Sequence, residues 1–266
     1  MIFLTEALEN LRLRLKAVTV FKGVADSPAL SRLIRLLDGI AADGQSAENI
    51  ALYADFVKSV YENGCDFGEC LKTCVFEDEN IFIRLSAAKR EIPAAVKSAA
   101  ESELALFSEL SAIGAKQLKS DLCGEISLPD FDSTSYNFVE LYAKRAKDAC
   151  KTGYGIFARH TMFRVEKGEI LPFESPDEIR LDSLFGYKAE RKKVLDNTKA
   201  LLEGKPAANV LLCGDAGTGK SSTVKAVTNE LSCEGLRLIE LSKAQLPELP
   251  GVFGKIRENP LKFIIF

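Results

Sequence analysis

The stretch GDAGTGKSS, from Gly214 to Ser222, constrains this chain more than any other. From Gly214 to Ser221 it fits the spacing G-x-x-x-x-G-K-[ST] at every fixed position. Glycines at those positions let a loop wrap so that successive backbone N–H groups point inward at phosphate oxygens. A helix opening near Lys220 adds its positive end. The Lys220 ammonium can reach the outer phosphates of a nucleotide, and the Ser221 hydroxyl can ligate Mg²⁺. The apolar run NVLLC in front predicts a short buried strand that includes Cys213, and SSTVKAVTNELSCEG behind it predicts an amphipathic helix. The candidate phosphate-binding residues are Gly214, Asp215, Ala216, Gly217, Thr218, Gly219, Lys220, Ser221 and Ser222, with Ser221 as the Mg²⁺ site. A dinucleotide fingerprint fits less well: the spacing is G-x-x-G-x-G, and no acid closes the next strand in the expected way, although Glu240 is close.

The rest of the chain divides by texture. Residues 1–153 read as a mostly helical domain. Leu4, Leu8, Leu11 and Leu15 form one stripe of a helix. Ser27-Pro28 is a cap and first-turn pair, Ser46 caps a second helix, and Pro93 opens a third that Gly114 closes. The polar stretch SLPDFDSTS separates that helix from the next, YNFVELYAKRAKDACKTG. Residues 154–174 read as a β-hairpin and linker, turning near Gly168. Residues 175–266 return to α/β texture, with a helix whose inner face is Val194, Leu195, Leu201 and Leu202. Strands are predicted at LRLIELS and KFIIF, with a short helix and turn between them.

Composition narrows the function classes. A net charge of −3 gives no bulk electrostatic case for nucleic acid. No run is long enough to span a bilayer, and the N-terminal residues lack the pattern of a secretory signal, so a cytoplasmic chain with reduced thiols is expected. Thiolates at i and i+4 of a helix could share a metal or serve an iron–sulfur centre, but Cys65, Cys70 and Cys74 match no strong ligand spacing and read as buried or half-buried free thiols. His160 has no partners for a catalytic pair. The basic run Lys188, Arg191, Lys192 and Lys193, balanced by Glu190 and Asp196, reads as a solvated helix face.

LDSLFGYKAERKKVLDNTKALLEGKPAANVLLCGDAGTGKSSTVKAVTNEL resembles the opening of an AAA-type ATPase domain, in which an h-x-x-h-h-G segment borders the adenine. By that resemblance Leu184, Phe185, Gly186 and Tyr187 take the adenine-adjacent role, while Asp215 and Ala216 stand where two prolines are commoner. FGYKAERKKVLDNTKALLEGKPAANVLLCGDAGTGKSSTVKAV, GLRLIELSKAQLPELP and FIIF, together with GIFARHTMFRVEKGEILPF, are similar to the bacterial ATP-binding family known as domain of unknown function 815. The likeness covers roughly residues 154–266, and the helical first part shares it only loosely. It implies an α/β P-loop NTPase of AAA type with a parallel sheet, preceded by the helical domain and the hairpin. It also implies ATP and Mg²⁺ as cofactors. For complete relatives it implies a homo-oligomer that couples ATP turnover to remodelling of a protein or nucleic-acid client. AAA-type strands lie in the order 5-1-4-3-2, and the third normally ends in an acidic pair. KFIIF, which looks like that third strand, carries no acid. The expectation is an incomplete copy of a longer ATPase, with a gap in the sheet where the fourth strand belongs. The alternatives are a regulatory or scaffold module that binds nucleotide without turnover, and a small-molecule kinase on the same loop.

Overall fold

The computed structural model describes residues 5–120, 122 and 127–266, so the predicted contribution of Leu4 to the first helical stripe lies outside the described residues. The chain forms two compact units, residues 1–86 with 90–147 and residues 87–89 with 148–266.

The first unit is helical. Its elements are α1 (Glu6–Lys16), α2 (Lys22–Ala25), α3 (Pro28–Asp43), α4 (Ala47–Tyr61), α5 (Phe67–Glu77), α6 (Ile81–Ala87), α7 (Ala94–Ser111) and α8 (Ala115–Ser120), followed by α9 (Phe138–Thr152), which runs on into the second unit. The predicted starts recur, but Ser27 occupies the N-cap position of α3 without a side-chain cap hydrogen bond, and α7 ends at Ser111, ahead of Gly114. Pro28 is the first residue of α3 behind Ser27, Ser46 accepts the Asn49 N–H at the start of α4, and Pro93 precedes α7. Leu8, Leu11 and Leu15 of α1 are buried, as are Leu30, Leu33, Leu36, Leu37 and Ile40 of α3. The stretch read as a polar separator carries Phe131, which is buried edge-on against Phe56 and Phe67 at centroid distances of 5.4 and 6.2 Å. Glu103 is buried too. Its carboxylate accepts the N–H groups of Thr19, Val20 and Phe21 and the Thr19 hydroxyl, which satisfies the donors of the α1–α2 connection.

The second unit is a layered α/β structure. After the single turn α10 (Ile156–Arg159), which His160 ends, come strands β1 (Met162–Glu166) and β2 (Glu169–Pro172), joined by the left-handed pair Lys167 and Gly168. There follow α11 (Lys188–Leu202), α12 (Lys220–Leu231), β3 (Leu236–Glu240), α13 (Leu249–Ile256) and β4 (Lys262–Ile265). The sheet order is β2-β1-β3-β4. The β1–β3 and β3–β4 pairs are parallel and β1–β2 is antiparallel. This corrects the expected parallel sheet. The hairpin does not merely precede the sheet but supplies half its strands, and a two-residue turn can only return a strand antiparallel.

Side-chain alternation assigns the two faces. Met162, Leu236, Leu238 and Ile264 meet Val224, Val227 and Leu231 of α12, with Val194, Leu195 and Leu202 of α11 behind them. Phe163, Val165, Ile239 and Phe263 meet Phe157, Val252 and Ile256 on the opposite face. Within that second layer the buried Arg237 donates to the carbonyls of Phe157, Ser232, Leu236 and Thr152 at 2.8 to 3.1 Å.

The segment 209–213 is not the predicted strand. It makes no ladder, and Val210 and Leu211 are 50% and 86% exposed. A strand needs a neighbour that supplies hydrogen bonds, and this segment is separated from β4 by a cavity of about 630 Å³. Leu201, Ala208, Val210 and Leu212 line one side of that cavity, and Phe263, Ile264 and Ile265 the other.

Candidate functional site: a glycine-rich loop at the start of a helix

The loop 214–219 leads straight into α12. Gly214, Gly217 and Gly219 have φ of +150°, +79° and +81°. At Gly217 and Gly219 an added Cβ would meet nothing within 4 Å, so glycine is demanded there by the left-handed backbone and not by crowding. Gly219 is the N-cap of α12 and no side chain caps it. The first N–H groups of the helix therefore have no side-chain acceptor, the arrangement that suits an anion. Lys225, about one and a half turns into α12, pairs with Asp177 at 2.7 Å and lies 3.5 Å from Glu240 at the C-terminal end of β3. The start of α12 thus lies at the C-terminal end of the parallel strands, where α/β sheets bind ligands. The hydrogen bond to Asp177 raises the Lys225 pKa, with Glu240 adding to it.

Lys220 folds over its own loop. Its ammonium donates to the carbonyls of Gly214 and Asp215 at 2.8 and 2.7 Å, and Thr218 Oγ1 donates to the same Asp215 carbonyl at 2.8 Å. These bonds close the loop into a ring and bring the ammonium to the cavity in front of it. That cavity, of about 620 Å³, is lined by Gly214, Asp215, Thr218 and Lys220 of the predicted set and by Tyr187. Its apolar walls are Val194, Val210, Leu211 and Leu212.

Not every predicted residue reaches this cavity. Ala216, Gly217, Gly219 and Ser222 belong to the loop and first turn but do not line it, and Ser221 faces the 630 Å³ cavity beside β4. Phe185 is 96% exposed and contributes nothing to the wall. Gly186 acts through its backbone, accepting a hydrogen bond from Arg191 that steadies the left-handed Gly186–Tyr187 turn ahead of α11. Cys213, expected inside a buried strand, is exposed and lines the cavity, because the strand is not formed.

Sequence reading missed the contribution of α11. Glu190, Arg191, Lys193 and Asn197 all line the cavity, so the basic run is not simply a solvated face. No local signal marked them, since charged and amide side chains at these positions are ordinary for a helix surface.

Fold and site together define an α/β unit with a glycine-rich loop at a helix N-terminus. Residues 158–266 match the model of a family described as a protein of unknown function, DUF815. The match covers the sheet, the loop and α11 to α13, and the helical unit lies outside it. No curated protein and no solved structure matches the chain. Among the described residues no helix is long and apolar enough to cross a membrane.

Proposed function

We propose that the second unit binds ATP with Mg²⁺ as a P-loop module of AAA type. The observation that carries this reading is the ring formed by Lys220 on the Gly214 and Asp215 carbonyls, set at an uncapped helix start. Such a loop presents N–H groups and one ammonium to a phosphate chain. The residues present suit the group. Lys220, which lines both cavities, and the N–H groups of 217–221 would hold the phosphates, Ser221 would offer its hydroxyl to the metal from the side of the cavity beside β4, and Tyr187, Val194 and Leu211 would wall the space for the base. Bound Mg²⁺ supplies charge neutralisation between the outer phosphates.

The reading for residues 1–266 is binding. Beside the loop, β4 offers Phe263, Ile264 and Ile265 and no carboxylate to polarise an attacking water.

The test is equilibrium titration with a fluorescent ATP analogue in Mg²⁺. Lys220→Ala should weaken binding by at least tenfold while the thermal midpoint stays within a few degrees. Equal affinity in the variant and the parent would remove the loop from the binding site.

A further inference from the structure

The chain between β2 and α11 is a strap whose one regular piece is the 3₁₀ turn Leu181–Ser183, and α12 holds it. The Asn229 carboxamide donates from Nδ2 to the carbonyls of Asp177 and Ile179, at 2.8 and 2.9 Å. In extended chain, groups two residues apart face the same way, so one planar NH₂ with two protons serves both carbonyls. Lys225 lies one turn before Asn229 on the same side of α12 and pairs with the Asp177 carboxylate at 2.7 Å. Leu181 then packs against Val227 and Leu231. Elsewhere the strap stands off the helix: a cavity of about 820 Å³ opens beside it, with Pro176, Arg180, Ala226 and Asn229 in its walls. The strap is pinned at points and not packed along its length.

We propose that Lys225 and Asn229 are positioning residues for the base of the bound nucleotide. The inference rests on the P-loop reading of the loop. The Leu181–Ser183 turn, which the Ser183 hydroxyl closes on the Arg180 carbonyl at 2.7 Å, is followed after three residues by Tyr187. Tyr187 is the N-cap of α11 and lines the 620 Å³ cavity. Packing of α11 does not fix Tyr187. Residues 188–190 are exposed, and α11 meets the α12 layer further along, through Val194, Leu195 and Leu202. The first turn of α11 is held instead by the bond from Arg191 to the Gly186 carbonyl and by the strap upstream of it. One helix therefore sets both ends of the site. The first turn of α12 faces the phosphates, and its later turns anchor the strap that delivers Tyr187 to the base. Cutting those anchors frees Tyr187 from its distance to the loop and leaves the phosphate end as it was, and a displacement of this kind is felt at the ligand. A strap with a purely structural role would lower stability and affect both ends alike.

The experiment is calorimetric titration of residues 1–266 with ATP and, separately, with tripolyphosphate, both in Mg²⁺. Tripolyphosphate has the phosphate chain without the base and so reads the loop alone. Asn229→Leu removes both carbonyl contacts, and the double variant Lys225→Met/Asp177→Asn removes the ion pair with no change in net charge. Each should lower ATP affinity by about tenfold and leave tripolyphosphate affinity unchanged, while Lys225→Arg, which keeps the pair, should bind both ligands as the parent does. Circular dichroism checks folding, and Asp177→Asn alone, at an exposed position, replaces any variant that does not fold. Equal losses for the two ligands, or parental ATP affinity in the folded variants, would overturn the positioning role and leave the P-loop reading standing. A folded parent that binds neither ligand would overturn the P-loop reading and this inference with it.

Discussion

The carboxamide of Asn197 holds both polar groups of the Ala208 backbone: Nδ2 donates to the Ala208 carbonyl and Oδ1 accepts the Ala208 N–H, each at 2.9 Å. One side chain thus does for Ala208 what a neighbouring strand would do. It ties the start of segment 208–213 to α11, and that segment delivers the loop. Asn197→Leu keeps the volume and removes both bonds. Because the pair is solvent-exposed, water replaces the lost partners, and stability should fall by no more than about 1 kcal/mol. Affinity for the ATP analogue should fall about tenfold, since positioning errors are felt most strongly at the ligand. Parallel thermal melts and titrations separate the two effects, and a large stability loss with unchanged affinity would count against the positioning role.

Ser221 follows Lys220 in the first turn of α12 and its side chain is exposed. If its hydroxyl ligates the metal, Ser221→Ala should cost affinity only when the metal is present. The expected pattern is a loss of roughly tenfold in Mg²⁺ and none in EDTA. Titrations of parent and variant under both conditions check it, and a loss of equal size in EDTA would assign Ser221 to the phosphates instead.

Local signals in the sequence were read well where local chemistry decides the structure. The Ser46 cap, the Pro28 first turn, the Lys167–Gly168 hairpin turn and the helix after Lys220 all depend on residues within a few positions of one another. NVLLC failed because an apolar run specifies burial, whereas a strand also needs a partner, and β4 does not reach it. The pairing of Met162 with Leu238, across 76 positions, was hidden for the same reason. Phe131 looked like part of a polar loop because its burial depends on Phe56 and Phe67 arriving from elsewhere in the chain. The loop itself was legible from glycine spacing. The wall that α11 gives the cavity was not, since Glu190, Arg191 and Asn197 are ordinary surface residues until the fold brings the loop beside them.

Arg237 is a buried cation among carbonyls. Burial lowers its pKa to about 10, and among the described residues no carboxylate pairs with it. Its bonds to Thr152, Phe157 and Ser232 tie the end of α9, the α10 turn and the connection after α12 to the sheet. Arg237→Met should leave those carbonyls without this donor and destabilise the chain by on the order of 3 kcal/mol, given about 1–3 kcal/mol for each buried group left unpaired. Arg237→Lys should rescue little, because a single ammonium cannot reproduce the fork. Denaturant unfolding curves measure both, and full stability in the methionine variant would mean that the guanidinium costs as much as its bonds return.

Asp66 caps α5 by accepting the Glu69 N–H at 3.0 Å, and it also accepts the hydroxyl and N–H of Thr134 at 2.7 and 3.0 Å. Burial alone would raise its pKa, but the hydrogen bonds from Thr134 and Glu69 outweigh it and hold the carboxyl below its ordinary value. A depressed carboxyl contributes stability that is complete above the unfolded-state pKa, about 3.9, and is lost as pH falls through the lower folded-state value. Acidification from about pH 5 to pH 3 should therefore lower the thermal midpoint of the parent. Asp66→Asn keeps one acceptor oxygen but loses the charge, so it should be less stable at pH 7 by about 1 kcal/mol, the usual worth of an N-cap, and flatter across the acid range. The two melting curves should draw together as pH falls below the unfolded-state value of about 3.9. Parallel curves with a constant offset would show that the cap works by shape alone and that its charge is not felt.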